Sequence, residues 1–240
     1  THAVAQIDNA SKDSRMSFQA QQTRVGVNLK KDKNISAKLE FDFVDFNKSS
    51  PTTQMNPRVR IASVTYEFEE HKFIIGQDWD LFSPVGAFTY NFVGNYFLAG
   101  NTGFMRQQIQ YLNTQGEWEF GGALGMAGSN PGVTEGDLEL SKSPSYALRA
   151  IRKISGKGRV GISGIYARSH FEVNNSSHDS YSGNVFYEQT LGRISLRSEF
   201  YFSQNLANLG ALSIGKGTAT DNVKEHGGFL SASFKMTEKS

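Results

Sequence analysis

Along most of the chain, hydrophobic residues fall at every second position. Residues 35–43 (ISAKLEFDF) set Ile35, Ala37, Leu39, Phe41 and Phe43 against Ser36, Lys38, Glu40 and Asp42. That is the period of a strand with one greasy and one polar face. Residues 23–29 (TRVGVNL) alternate in the same way, and the polar run Lys31-Asp32-Lys33-Asn34 between the two predicts a short turn. The unit then recurs. Residues 58–68 and 73–79 flank 69–72, residues 104–112 and 117–126 flank 113–116, and residues 146–154 and 159–168 flank 155–158. Residues 181–191 and 194–202 flank Gly192-Arg193, and a last strand covers 228–236.

The segments between these hairpins are of another kind. Residues 47–57, 81–103, 127–144, 171–180 and 203–227 are long and rich in Asn, Ser, Gly and Thr. No stretch shows the 3.6-residue period of a long helix, and no break in composition marks a second domain, so residues 1–240 read as one all-β unit. Short turns at one end and long loops at the other mark a transmembrane antiparallel β-barrel of the outer-membrane kind. A soluble up-and-down barrel needs a greasy interior and a polar exterior. Here the polar faces carry long charged side chains such as Lys38, Glu40, Asp42, Arg193, Arg197 and Glu199. Those suit a water-filled lumen, with Leu39, Phe41, Phe43, Phe200 and Phe202 toward lipid. Alternation alone leaves open which face is inside.

Composition narrows the class further. The 240 residues hold 24 Gly, 18 Phe and 9 Tyr at a mean hydropathy of −0.43, which is what a chain gives when half of every strand faces water. Lys and Arg number 25 against 23 Asp and Glu, a balance that argues against a nucleic-acid partner. The absence of cysteine excludes disulfides, thiolate metal sites and a Cys nucleophile. No cofactor is expected. Thr1 opens the chain without a charged-then-apolar leader, so an export signal is expected outside this sequence.

The strand count is eleven, whereas single-chain bacterial barrels close with even numbers. Either residues 14–22 (SRMSFQAQQ) supply a twelfth strand, or the chain is part of a larger barrel. The closing Met236-Thr-Glu-Lys-Ser240, which reads as a fresh turn, favours the second.

Specific residues resemble a known family. Gln22-Thr-Arg24-Val-Gly26-Val-Asn-Leu, a turn, then Ala37-Lys-Leu-Glu-Phe-Asp-Phe is similar to the early strands of trimeric Gram-negative porins. Ile75-Gly-Gln-Asp78-Trp79, a long aromatic loop, then Met105-Arg106-Gln107-Gln108-Ile109-Gln-Tyr111 resembles the DcaP-like branch. The resemblance covers most of residues 22–168. It implies a sixteen-stranded barrel of which this chain supplies about 11–12 strands, lacking the first and the last ones. It further implies a homotrimer in the bacterial outer membrane, in contact with lipid and lipopolysaccharide, that passes small hydrophilic solutes by diffusion and makes or breaks no bond.

The candidate site residues fall into two sets. In the loop 81–103, following Asp78 and Asp80, the aromatics include Phe88, Tyr90, Phe92 and Tyr96. So many apolar groups point to burial, either as an inward-folded constriction loop or as a contact with a neighbouring subunit. Asp78 and Asp80 fit two roles, setting a field across the pore or capping the strand end in an Asx turn. The second set comprises Arg24, Lys38, Arg58, Arg60, Arg106, Arg149 and Arg197 on polar faces. As a lining they would favour small anions. Paired with carboxylates such as Glu40, Asp42 and Glu199, they would only solvate the lumen.

The five histidines read as loop or turn residues, with His170 and His178 near Asp179 as the one suggestive cluster, so the chain is read as a channel and not an enzyme. The competing class is a structural or adhesion barrel with a plugged lumen, in which lumenal charges pair evenly and loop 81–103 reaches outward.

Overall fold

A computed structural model describes residues 23–44, 56–88, 100–126, 143–155, 157–171, 175–211, 213–215, 217–218 and 220–236. The expected strands are all present: β1 (Val25–Lys30), β2 (Ile35–Asp42), β3 (Arg58–Phe68), β4 (His71–Trp79), β5 (Met105–Gln115), β6 (Trp118–Gly125), β7 (Ser145–Ile154), β8 (Gly158–Phe171), β9 (Ser176–Leu191), β10 (Ile194–Gln204) and β11 (Lys224–Phe234). Each pairs antiparallel with its sequence neighbour in one meandering sheet. Among the described residues β1 and β11 do not pair with each other, so the sheet keeps two edges. Residues 14–22, the candidate twelfth strand, lie outside the described residues. No described helix is long and apolar enough to cross a membrane, which says nothing of strands.

Hairpin chemistry sets the tight end. Glu69, Gly116 and Gly192 open the turns there with φ of 51°, 59° and 57°, the positive φ that matches a short turn to the right-handed twist of its strands. At the other end one expected loop is largely strand. Residues 171–180 contribute only a short connection, because β8 runs through Phe171 and β9 starts at Ser176. Their Ser-rich composition reads as loop, yet Ser169 pairs with His178 and His170 with Ser177 in an unbroken ladder. Four histidines are accordingly strand residues, His71, His170, His178 and His226; His2 lies outside the described residues.

The two faces separate cleanly. One carries Val64, Ile75, Ile109, Leu124, Leu148, Ile162, Val185, Phe202 and Leu230, all exposed, with Leu148 at 71% and Leu230 at 76%. Aromatic rings border this face at both ends. Near the turns Phe73 lies between Tyr66 and Tyr111 in register, with its ring 5.0 Å from that of Tyr111. At the loop end Tyr146, Tyr166 and Tyr181 align across three strands.

The opposite face is concave, as chain reach requires. The N–H of Asp80 donates to Phe104 O (2.8 Å), which pins the end of β4 beside β5. Three residues later Ser83 donates to the carboxylate of Glu199 on β10, six strands from β4. Six spacings along a flat sheet come to about 29 Å at about 4.8 Å each. Three residues reach at most about 11 Å. The sheet therefore curls, and residues 81–88 run as a chord across its inner side. Along that inner side Leu81 and Phe82 pack with Leu112, Ala123, Ala147 and Ile165 of the wall and with Leu206 and Leu209 of the 3₁₀ turn Leu206–Leu209.

Gly76 sits at φ 124°, where a Cβ would run into the Ala62 carbonyl oxygen of β3. Gly76→Ala should therefore lower the stability of the detergent-folded protein by about 1–3 kcal/mol, read from its urea midpoint; an unchanged midpoint would contradict this backbone geometry.

Candidate functional site

The inner face concentrates the charged and polar side chains, and the segment that crosses it is held by three strands. Glu199, only 2% exposed, accepts from Ser83 Oγ through one oxygen and from the Val85 N–H (3.3 Å) through the other. Arg197, two residues earlier on the same face, donates from Nη1 to Gly86 O (3.0 Å) and lies over the Phe88 ring, 4.1 Å from its centroid. On β11 Ser231 Oγ accepts from the Phe88 N–H (3.1 Å). Arg149 of β7 adds a bond to Leu81 O (3.4 Å). Val85 is buried with Ile151 and Phe186. The returning limb lies against the same wall: Gly100, at φ 110°, leaves no room for a Cβ beside the Gly228 backbone of β11. Of the loop aromatics singled out by sequence, Phe88 takes part in this clamp, while Tyr90, Phe92 and Tyr96 lie outside the described residues.

Arg106 acts as a strut, not as an exposed lining cation. It is 8% exposed. Its Nε donates to Asp80 Oδ2 (2.9 Å), Nη1 to Met126 O (2.6 Å), and Nη2 to Leu209 O. One guanidinium thus ties together the starts of two loops and the 3₁₀ turn of a third. Gly125 faces it because a Cβ there would press on Arg106 Cδ. Asp80, only 6% exposed, is spent on this strut. Asp78 accepts from Ser63 Oγ (2.7 Å) and from the Trp79 N–H (2.7 Å), a local strand-end role.

The other cations pair as well. A register shift between Glu40 and Phe41 leaves Arg60 as the extra residue of β3, opposite the β2 carboxylates. Arg58 grips Asp42 with two bonds (2.9 and 2.6 Å), Arg60 binds Glu40 (2.8 Å) and reaches Asp42 (3.3 Å), and Lys38 contacts Glu40 (3.2 Å). Arg149 pairs with Glu119 (2.8 Å) and Arg197 with Glu188 (2.9 Å). Of the seven basic residues singled out in the sequence, only Arg24, exposed just before β1, has no ion-pair partner among the described residues. His170 and His178 project from opposite faces of the β8–β9 ladder, so they do not form one site. No group of three or more potential metal-binding side chains occurs among the described residues.

Sequence reasoning placed Glu199 and Arg197 on the polar face but missed their role as loop anchors. Ser83 lies 116 positions from Glu199, and no local pattern signals a partner that far away.

No protein-family model matches the chain, and no curated protein sequence matches it. Among solved structures it is similar to the outer membrane channel DcaP of Acinetobacter baumannii, with a TM-score of 0.73 at 16% identity, covering 92% of this chain and 64% of that one. A loop-deletion form of OmpT, an outer membrane protein of Vibrio cholerae, gives a TM-score of 0.49 at 14% identity, covering 89% of this chain and 80% of that one. The first likeness is one of fold: the chain has a DcaP-like, porin-type antiparallel sheet and spans about two thirds of that channel's length.

Removing the strut would strand the Asp80 carboxylate in a buried site. Arg106→Ala is expected to cost about 3–5 kcal/mol in urea unfolding, whereas Arg24→Ala should cost less than about 0.5 kcal/mol. Equal losses would remove Arg106 from this role.

Proposed function

We propose that this protein is a bacterial outer-membrane porin whose pore is narrowed by the segment 81–88, and that small hydrophilic solutes cross it by diffusion. The observation that carries this reading is the chord itself: a loop anchored at Glu199, Arg197 and Ser231 lies inside the curve instead of reaching away from it. The exposed apolar outer face with aromatic borders supports a lipid surroundings, and the likeness in fold to an outer membrane channel agrees with it. The described strands run 6 to 16 residues, around the roughly 9–11 that a tilted strand needs to cross a bilayer. With no bond made or broken, rate and selectivity come from the pore radius and the charges lining it. A preference for anions rests on the basic residues of the inner face, moderated by their pairing with carboxylates. Trimeric assembly, which the sequence resemblance implies, is read by chemical cross-linking of the detergent-solubilised protein, with a ladder ending at three copies.

One observation favours the competing reading of a plugged structural barrel. Six of the seven basic residues singled out in the sequence are paired with carboxylates. Planar-bilayer recording separates the two. The porin reading expects discrete conductance steps, with a reversal potential in a KCl gradient shifted toward that of chloride. Glu199→Ala, which frees the crossing segment, should give larger and noisier steps. A silent bilayer would sink the porin, and cation selectivity would sink the anion preference alone.

The membrane assignment has its own check. Leu148, 71% exposed in the middle of the outer face of β7, should tolerate Arg if water covers it. In lipid, Leu148→Arg should cost about 2–4 kcal/mol, measured by urea-dependent folding into liposomes; a neutral result would argue against a lipid-facing position.

A further inference from the structure

Pairing of inner-face charges is not uniform. Toward the short-turn end, beside the anchored segment, lies a cavity of about 380 Å³ lined by Phe88, Lys153, Lys157, Arg159, Glu188 and Arg197, among others. Register places four of these in one row across four strands: Lys153 opposite Arg159, Arg159 opposite Glu188, and Glu188 opposite Arg197. Lys157 joins them from the turn before β8, at φ 61°. Four cations thus share a single carboxylate. Glu188 binds both arginines, through Arg197 Nε (2.9 Å) and through Arg159 Nε, and so holds the two guanidinium groups side by side. Neither lysine has a carboxylate partner among the described residues, and both are exposed to the cavity side of the sheet. The β2–β3 cluster differs, because there three cations meet two carboxylates and Arg60 is buried.

The geometry points to this row as a binding site for a small multivalent oxyanion, which we infer to carry at least two negative charges. Paired guanidinium forks suit planar or tetrahedral oxygens, and lysines add mobile point charges. The volume is room for about a dozen water-sized groups at about 30 Å³ each, the scale of a diphosphate or a tricarboxylate. Because Arg197 also holds Gly86 O and stacks on Phe88, an anion bound here sits against the anchored segment at the point where a passing solute would meet it. The inference rests on reading this face as a pore wall, but binding itself needs no conduction.

Calorimetric titration of the detergent-solubilised protein at low salt tests it, with inorganic pyrophosphate and tricarballylate as probes and chloride as the reference. Saturable binding is expected for one or both multivalent probes, weakening as salt rises. The double variant Lys153→Gln/Lys157→Gln should bind about tenfold more weakly, equivalent to about 1.4 kcal/mol. Lys224→Gln, at the far end of β11, should bind as the parent does. Circular dichroism confirms that each variant is folded. No binding of either probe, an unchanged affinity in the double variant, or an equal loss in Lys224→Gln would overturn the site. Binding by a protein that shows no channel steps would keep the site and refute the porin.

Discussion

The inner architecture depends on a carboxylate taken out of water. Glu199 is almost wholly buried on the inner face of β10, and a buried carboxylate is tolerable only if its oxygens are hydrogen-bonded. The donors come from Ser83 and the backbone of Val85, far away in sequence. Satisfying Glu199 therefore fixes the path of the segment, and that path in turn fixes the curl of the sheet, since so few residues bridge so many strands. The dependence is mutual. Without the segment, Leu112, Ala123, Ala147 and Ile165 would face solvent; without the wall, Leu81 and Phe82 would have nothing to pack on.

That packing explains an otherwise odd feature of the inner strands, their small residues. A Cβ at Gly121 would crowd Leu81 and Leu112, and one at Gly161 would crowd Phe186. Such gaps in β6 and β8 are the recesses into which loop and wall side chains fit. The outer face, by contrast, needs no partner from the same chain, and its large Leu, Ile and Val residues stay exposed.

This contrast also decides what could be read from the sequence. Outer-face alternation is local, and all eleven strands followed from it, most ends shifting by only a few residues. The β8–β9 extension was missed because Ser169, Ser176, Ser177 and Ser180 carry a loop-like composition, and ladder pairing overrode it. The extra residue at Arg60 was missed because a bulge shows itself only in register. The basic residues were found by their place on the polar face, yet whether each is free or paired depends on neighbouring strands. Arg106 is the clearest case: its strand position marks it as inward, while its partners come from three loops.

Charge pairing finally bears on where selectivity can arise. A bidentate pair such as Arg58–Asp42 presents a dipole to the solution, and its field fades faster with distance than that of a lone charge; salt shortens the reach further, to about 8–10 Å. Most of the inner cations are therefore nearly silent to a solute more than a few ångströms away. On the packed side of the wall, from β5 to β8, apolar residues and the crossing segment bury one another. Net charge over the whole chain is thus a poor guide to selectivity. What counts is the local excess of one sign within a screening length of the path, and along the described inner face the row from Lys153 to Arg197 holds such an excess. Under the proposed porin function, a nearly neutral chain would in this way still sort solutes by charge.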